Sequence, residues 1–320
     1  MLDRTELVTI IGGSGFVGTQ IVQVLARAGY RIRVGVRRPD LAGHLRTLGG
    51  VGQIVPMQAN VRNADSVMAA VRGASVVINL AAVGVERGKQ RFRAVNVMGA
   101  RRVAEAAKAA GAHTLIHMSV IGADEASPSL FARSRAMGET EVRSAFPGAI
   151  IMRPSVIFGA EDEFFNKLGM IARMLPFMPL FSARTTFQPV YVGDVAEAVG
   201  QAVQGNLKAG KNYELGGPDV LTNRQIIERV LRDTNRSNPV LALPSIAGRL
   251  LALPMGLLSK PLITGEQITL LGIDNVVSAD AAKDKRTLTG MGIAARSVDA
   301  VLPSYLWRFS PNGQFYKQTA

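Results

Sequence analysis

The 320-residue chain contains no cysteine, which excludes disulfides, thiolate metal sites and thiol nucleophiles together. Acidic residues are in deficit: 24 Asp and Glu stand against 37 Lys and Arg, a formal net charge of +13. The imbalance is uneven, with 20 basic against 10 acidic residues in 1–160 and 17 against 14 in 161–320. A basic first half suits an anionic partner, such as a phosphorylated cofactor, an acidic protein surface or anionic lipid headgroups, and equally a merely solvated basic surface. No nucleic-acid-binding motif accompanies the charge, so nucleic acid is not expected. No apolar run approaches the roughly 20 residues needed to span a bilayer. Met1-Leu2-Asp3-Arg4-Thr5-Glu6 leads at once into an apolar strand, so no signal or transit peptide is expected. Internal repeats and long biased tracts are missing too, and apolar residues make up 48%, which rules out wholesale disorder.

What is present is alternation. Apolar strands are expected at Leu7–Ile11, Arg31–Val36, Gln53–Met57, Ser75–Leu80, Thr114–Ser119 and Ala149–Met152, with helical spacing between them, as in Phe16–Ala28. Such alternation predicts an α/β fold, a doubly wound parallel sheet. The remainder reads as a smaller, mostly helical C-terminal lobe. The expected division is a dinucleotide-binding core over 1–160, joined again by 188–217, and a lobe over 161–320. Lys211–Leu215 reads as a returning strand, and Thr222 can cap a helix over Asn223–Arg232.

The glycine loop carries the first chemistry. Gly12-Gly13-Ser14-Gly15-Phe16-Val17-Gly18 follows a strand and opens a helix. Gly12 permits the tight turn, Gly15 lets backbone approach a pyrophosphate, and Gly18 lets the helix pack closely on the sheet. The helix N-terminus then offers free N–H groups and a positive dipole end to phosphates. At the end of the second strand, where an NAD site wants a carboxylate for the ribose 2′-hydroxyl, the chain has Arg37-Arg38-Pro39-Asp40. Two guanidinium forks suit a 2′-phosphate, so NADP(H) is favoured over NAD(H).

These residues resemble the extended and atypical short-chain dehydrogenase/reductase superfamily. The likeness rests on Gly12–Gly18, Asn79-Leu80-Ala81-Ala82, Val95-Asn96-Val97-Met98-Gly99-Ala100, His117-Met118-Ser119, Arg153-Pro154 and Asp194. Within it, Arg153–Gly159 running into Glu161–Asn166, with Gln188–Ala196 and Tyr213–Pro218, is similar to the dehydrogenase-like accessory subunits of respiratory complex I. The resemblance implies a nucleotide site that also takes in Asn60, Val61, Leu80, Ala81, Ala82, Ser119, Arg135, Pro154 and Ser155. It implies complex I subunits as partners, and a peripheral place on the cytoplasmic face of a bacterial inner membrane, or on the matrix face of the mitochondrial one for a processed form.

The resemblance also locates a loss. Enzymes of the superfamily use a Tyr and a Lys one helical turn apart, the phenol moving the substrate proton and the ammonium lowering its pKa. Phe131 stands where the Tyr belongs and Arg135 where the Lys belongs. Phenylalanine has no proton to give, and arginine keeps a charge without restoring the acid. None of the five tyrosines precedes a Lys by four residues, so no catalytic residue is expected. Ser119 reads as a strand-end hydroxyl satisfying backbone; His113 and His117 read as structural, His44 as surface. No metal site is expected.

Three functions follow. The first is a non-catalytic NADP(H)-binding accessory subunit of complex I. The second is a free NADPH-dependent reductase or epimerase with an atypical proton donor, and the third a dinucleotide-sensing regulator. Two Pro-broken apolar stretches, Met174–Ala183 and Leu250–Ser259, are either lobe core or a partner or membrane-interface surface.

Overall fold

The computed structural model describes residues 6–244, 246, 248, 263–311 and 313. Contacts divide the chain into two units: residues 1–154, 192–215 and 278–293 form the first, and 155–191, 216–277 and 294–320 the second. The segment 278–293 was expected in the lobe. It joins the first unit because Ser278 N–H donates to Glu214 Oε2 at 2.8 Å and Arg286 Nη1 donates to the Asn212 carbonyl at 2.8 Å.

The first unit holds a parallel sheet of seven strands. These are β1 (Leu7–Ile11), β2 (Arg31–Val36), β3 (Ile54–Gln58), β4 (Val76–Asn79), β5 (Thr114–Met118), β6 (Ile150–Pro154) and β7 (Asn212–Leu215). Their order across the sheet is β7-β6-β5-β4-β1-β2-β3. Every pairing is parallel, so both faces must be covered and the strands read as apolar runs: Val76, Val77 and Ile78 are wholly buried. The cover comes from helices α1 (Phe16–Arg27), α2 (Ala64–Val71), α3 (Met98–Ala109), α4 (Leu130–Ala145) and α5 (Val192–Val203). In α1, Gly18, Ile21, Val22, Leu25 and Ala26 recur at helical spacing and are the buried face. The face of α3 is built of small residues, Gly99, Ala100, Ala104 and Ala107 around Val103, which lets that helix lie close to its neighbours. A π-helical turn, Arg93–Val97, leads into α3.

The chain runs outward from β1 through β2 to β3 at one edge, then crosses back over β1 to β4 on its other side. The carboxyl ends of β1 and β4 are therefore the point at which strand order reverses, where a crevice opens in sheets of this kind.

The second unit is less purely helical than the sequence suggests. Beside helices Phe164–Met174, Asn223–Asp233 and Gly265–Leu270 it holds three two-stranded pairs. Thr222 does cap its helix, in a reciprocal capping box with Gln225. Part of the first apolar stretch is core: Met178, Leu180 and Phe181 are buried, with Met178–Leu180 paired to Val240–Ala242, while Met174 and Leu175 remain exposed. The second stretch, Leu250–Ser259, lies outside the described residues. Among the described residues, no helix is long and apolar enough to cross a membrane.

Candidate functional site

The crevice at the β1/β4 switch holds a cavity of about 310 Å³. Of the residues expected to hold a nucleotide, Gly12, Ser14, Gly15, Arg37, Asn60, Val61, Leu80, Ala81 and Ala82 line it. Each sits in a loop that follows a parallel strand, which is why distant sequence segments converge there.

The glycines divide their labour as the physics asks. Gly12 has φ +84°, and a Cβ there would come within 3.1 Å of the Ala81 nitrogen, so both conformation and neighbour demand glycine. Gly13 and Gly18 are buried beneath the loop. A Cβ on Gly13 would meet Val34 Cγ1 at 2.7 Å, and one on Gly18 would meet the Gly13 backbone at 2.5 Å. Gly15 is different, since its φ of −83° suits any residue and a Cβ would find its nearest protein atom 3.8 Å away. No described neighbour requires glycine there; a side chain would instead fill the cavity it lines. Gly15 also stands at the N-cap of α1 with no side chain capping the first turn, leaving backbone N–H groups free to bind an anion. A pyrophosphate fits this cradle.

The paired arginines are not equivalent. Arg37 lines the cavity and is exposed. Arg38 does not line it. Its guanidinium forks onto Asp40, with Nη2 to Oδ2 at 2.8 Å and Nε to Oδ1 at 3.3 Å, and holds that carboxyl below its usual range. Of the two forks expected at a 2′-phosphate, Arg37 alone lines the cavity, because the turn after Pro39 brings Asp40 back beside Arg38.

Several expected residues lie elsewhere. Gly13, Phe16, Val17 and Gly18 support the loop rather than line the cavity. Ser155 belongs to the second unit, where its Oγ lies 2.6 Å from Asn275 Oδ1. Pro154 ends β6, its carbonyl accepting from Ile121 N–H at 2.9 Å. Beyond the strand-end residues Ile11 and Val36, sequence reasoning missed five lining residues: Gly35, Ala59, Val83, Gln90 and Val95. The first two could have been found, as small residues at the ends of β2 and β3; a Cβ on Gly35 would meet Ile11 Cδ1 at 2.7 Å.

Beside the cavity, at the carboxyl ends of β4 and β5, is a set of buried polar groups. Asn79 Oδ1 accepts from Ala81 N–H at 3.1 Å, which fixes its amide so that Nδ2 donates to His117 Nδ1 at 3.1 Å. The proton of neutral His117 is therefore on Nε2, which has no partner among the described residues. Burial, with the Arg135 charge nearby, pushes the His117 pKa well below the ordinary value of 6.5. Ser119 Oγ is buried and has no partner among the described residues, so this hydroxyl does not satisfy backbone as expected. Arg135, on α4, is 2% exposed; its Nη2 donates to the Met118 carbonyl at the end of β5, while Nε and Nη1 have no partner among the described residues. Burial lowers its pKa to about 10, so it stays charged at neutral pH. The nearest carboxylate along the helix, Glu139, is gripped by Arg153 through two bonds of 2.9 and 2.7 Å. Phe131 packs edge-on against Phe92, with ring centroids 6.1 Å apart. His113 is exposed and bonds to Thr114 Oγ1 at 2.9 Å.

A histidine kept neutral by the fold gives a pH dependence of known sign. The unfolded chain takes up its proton below about 6.5 and the folded chain does not. Stability from this group is thus complete above about pH 6.5 and is lost as pH falls, by at most about 1.4 kcal/mol per unit. Urea midpoints measured from pH 7.5 to 5 should show this slope, and His117→Gln should flatten it. An unchanged slope in the variant would assign the effect to other groups.

Comparison with known proteins agrees with this geometry. The profile of the NAD dependent epimerase/dehydratase family matches residues 8–216. The chain is 37% identical over 289 residues to the mitochondrial NADH dehydrogenase [ubiquinone] 1 alpha subcomplex subunit 9 of Arabidopsis thaliana, covering 86% of this chain and 72% of that protein. It is 34% identical over 194 residues to the ceramide reductase of Caulobacter vibrioides, covering 61% of this chain and 60% of the other. Among solved structures, the NADPH-dependent quinone oxidoreductase QOR2 of Escherichia coli, complexed with NADPH, superposes with a TM-score of 0.75 at 18% identity, over 94% of this chain and 99% of that one. The last likeness is one of fold, and the fold is one that binds a nicotinamide dinucleotide.

Proposed function

This chain belongs to the NAD dependent epimerase/dehydratase family, alongside the 1 alpha subcomplex subunit 9 proteins, and from that premise we propose that it is an NADP(H)-binding accessory subunit of respiratory complex I without catalysis of its own. The observation that carries the reading is a phosphate cradle kept beside a missing proton donor. The uncapped α1 and Gly15 would hold the pyrophosphate, and Arg37 the 2′-phosphate. A bound nicotinamide would supply hydride chemistry, but Phe131 and Arg135 provide no acid to accompany it. Such a ligand instead stabilises the fold that holds it, by about 3–4 kcal/mol when present at a hundred to a thousand times its Kd.

The partners in this reading are the other subunits of the complex, and the place is peripheral, on the cytoplasmic face of a bacterial inner membrane or the matrix face of a mitochondrial one. The excess of basic residues suits anionic lipid headgroups as a second contact. Solubilised native membranes, fractionated by size, should carry this chain with NADH:quinone oxidoreductase activity, and denaturing it should release NADP(H). A chain found only free of that assembly, or one releasing no nucleotide, would remove the proposal.

A second reading, a free reductase, is favoured by the likeness to the ceramide reductase. It requires another proton donor in place of Phe131, and steady NADPH oxidation by the isolated chain on a ketone would establish it.

A further inference from the structure

The first unit carries a second hollow, beside the amino end of edge strand β7 and so at the opposite end of the sheet from the nucleotide crevice. It is a cleft of about 660 Å³ between the 206–211 loop, which leads into β7, and the turn that follows the helix Ala279–Lys283. Lys208, Lys211, Lys285 and Arg286 line it against Asp284 alone, four cations to one carboxylate. That carboxylate is already engaged: Arg286 Nη2 donates to Asp284 Oδ2 at 3.0 Å, while its Nη1 donates to the Asn212 carbonyl at 2.8 Å. The three lysines are exposed and have no carboxylate partner among the described residues. Like charges gathered around one hollow repel each other and focus a positive potential within it.

Both walls are held in place. On one side Lys208 N–H donates to Tyr213 Oη at 2.8 Å, and Gly210 N–H donates to the Gly148 carbonyl at 3.1 Å; the Tyr213 side chain is itself part of the lining. On the other, Arg286 N–H donates to the Ala281 carbonyl at 2.8 Å and Lys285 N–H to the Ala282 carbonyl at 3.1 Å. These two bonds make a Schellman turn, in which the left-handed position is ordinarily glycine. Here it is Lys285, with φ +56°, a conformation that a Cβ disfavours. Gly290 closes against the back of this turn, where a Cβ would stand 2.1 Å from the Lys285 carbonyl oxygen. Glycine at 285 would serve the fold better; what the lysine adds is an ammonium group on the cleft.

We propose that this cleft is an anion site for a phosphate-bearing ligand, gripped by Lys208 and Lys211 from one wall and Lys285 from the other. Arg286, fixed by its two bonds, stands as a further charge beside them. A phosphate presents several strong acceptor oxygens and up to two negative charges, which ammonium donors from two sides can share. A single carboxylate would leave most of the cleft's charge unanswered. The hollow is also large enough for the group that carries the phosphate. That group is either the headgroup of an anionic phospholipid or a soluble phosphorylated compound. Sheets of this kind bind their usual ligands at the carboxyl ends of the strands, so the proposal stands independently of the nucleotide reading.

The test uses the full chain with NADPH in excess, so that the glycine loop does not compete for the probe. Two probes are used: inorganic pyrophosphate, followed by isothermal titration, and phosphatidylcholine vesicles with or without phosphatidic acid, followed by flotation. Binding of pyrophosphate alone supports the site with a soluble ligand; binding of the acidic vesicles, with or without pyrophosphate, supports it with a headgroup. Whichever probe binds, Lys285→Gly should weaken it by about tenfold while raising the urea midpoint, because the charge is lost and the backbone relieved. The pair Lys208→Gln and Lys211→Gln, made together, should lose at least as much. Lys283→Gln removes an equally exposed charge two residues before Lys285 but outside the lining, and should change affinity less than about twofold. Binding of neither probe would overturn the inference. So would affinity undiminished in Lys285→Gly, a loss in Lys283→Gln as large as in Lys285→Gly, or a Lys285→Gly chain less stable than the unsubstituted one.

Discussion

Arg37→Glu is expected to weaken NADPH binding by more than a hundredfold while leaving NADH binding intact or improved. Arg37 is the one member of the arginine pair that lines the cavity, at the end of β2 where the ribose 2′ position of a dinucleotide falls. A charge-assisted bond to a phosphate contributes about 1.5–3 kcal/mol. Reversal removes that bond and adds repulsion between the new carboxylate and the phosphate, so about 3 kcal/mol, a little over a hundredfold, is the least to expect. For NADH the sign inverts, since the carboxylate can accept from the 2′-hydroxyl. Arg38→Ala should change NADPH affinity less than about threefold, because its fork is already spent on an exposed Asp40. Isothermal titration with both coenzymes decides the matter. A larger loss from Arg38 than from Arg37 would reverse the assignment.

The contrast between those arginines marks where the sequence stops being readable. The strand, glycine turn and helix over 7–27 were legible because each rests on local rules: an apolar run, a positive-φ turn and a 3.6-residue period. The sheet was legible for the same reason, and so was the cap at Thr222. Adjacent Arg37 and Arg38 look alike in a string of letters. They part company only when the turn after Pro39 brings Asp40 back to Arg38. Residues 278–293 could not be placed in the first unit from pattern, because their buried apolar residues, Ala281, Leu288 and Ile293, follow no regular period and the bonds to β7 run through backbone and side-chain groups that a string of letters does not pair. Ser119 reads as satisfying backbone, the ordinary fate of a strand-end hydroxyl; the structure leaves its Oγ buried just past the end of β5, with no partner among the described residues. Gly15 was legible in identity and only the structure gives the reason, which is the open space above it.

The other large effect expected is at a glycine with no part in the loop. Gly138 lies within α4, and a Cβ there would stand 2.3 Å from the carbonyl oxygen of Asn96 in the π-helical turn. Helix propensity alone favours Gly138→Ala by about 1 kcal/mol. The contact decides the sign, because the obstacle is backbone and cannot rotate away. Moving α4 outward breaks the 2.9 Å bond from Asn96 Nδ2 to Ser134 Oγ, both of them buried. Overpacking of this kind costs about 1–3 kcal/mol, and a buried donor left unpaired adds about 1–3 more, so a net loss near 3 kcal/mol is expected. Function should suffer with stability. Asn96 holds Val83 through bonds to its N–H and carbonyl at 2.9 and 3.1 Å, and Val83 and Val95 line the cavity, while α4 itself carries Arg135. Gly43→Ala is the control: a Cβ there meets no atom within 4 Å, and its effect should stay within about 0.5 kcal/mol. Urea unfolding of both variants, with NADPH affinity measured on each, separates the outcomes. A Gly138→Ala chain as stable as the Gly43→Ala chain would mean that α4 and the Asn96 turn are free to part.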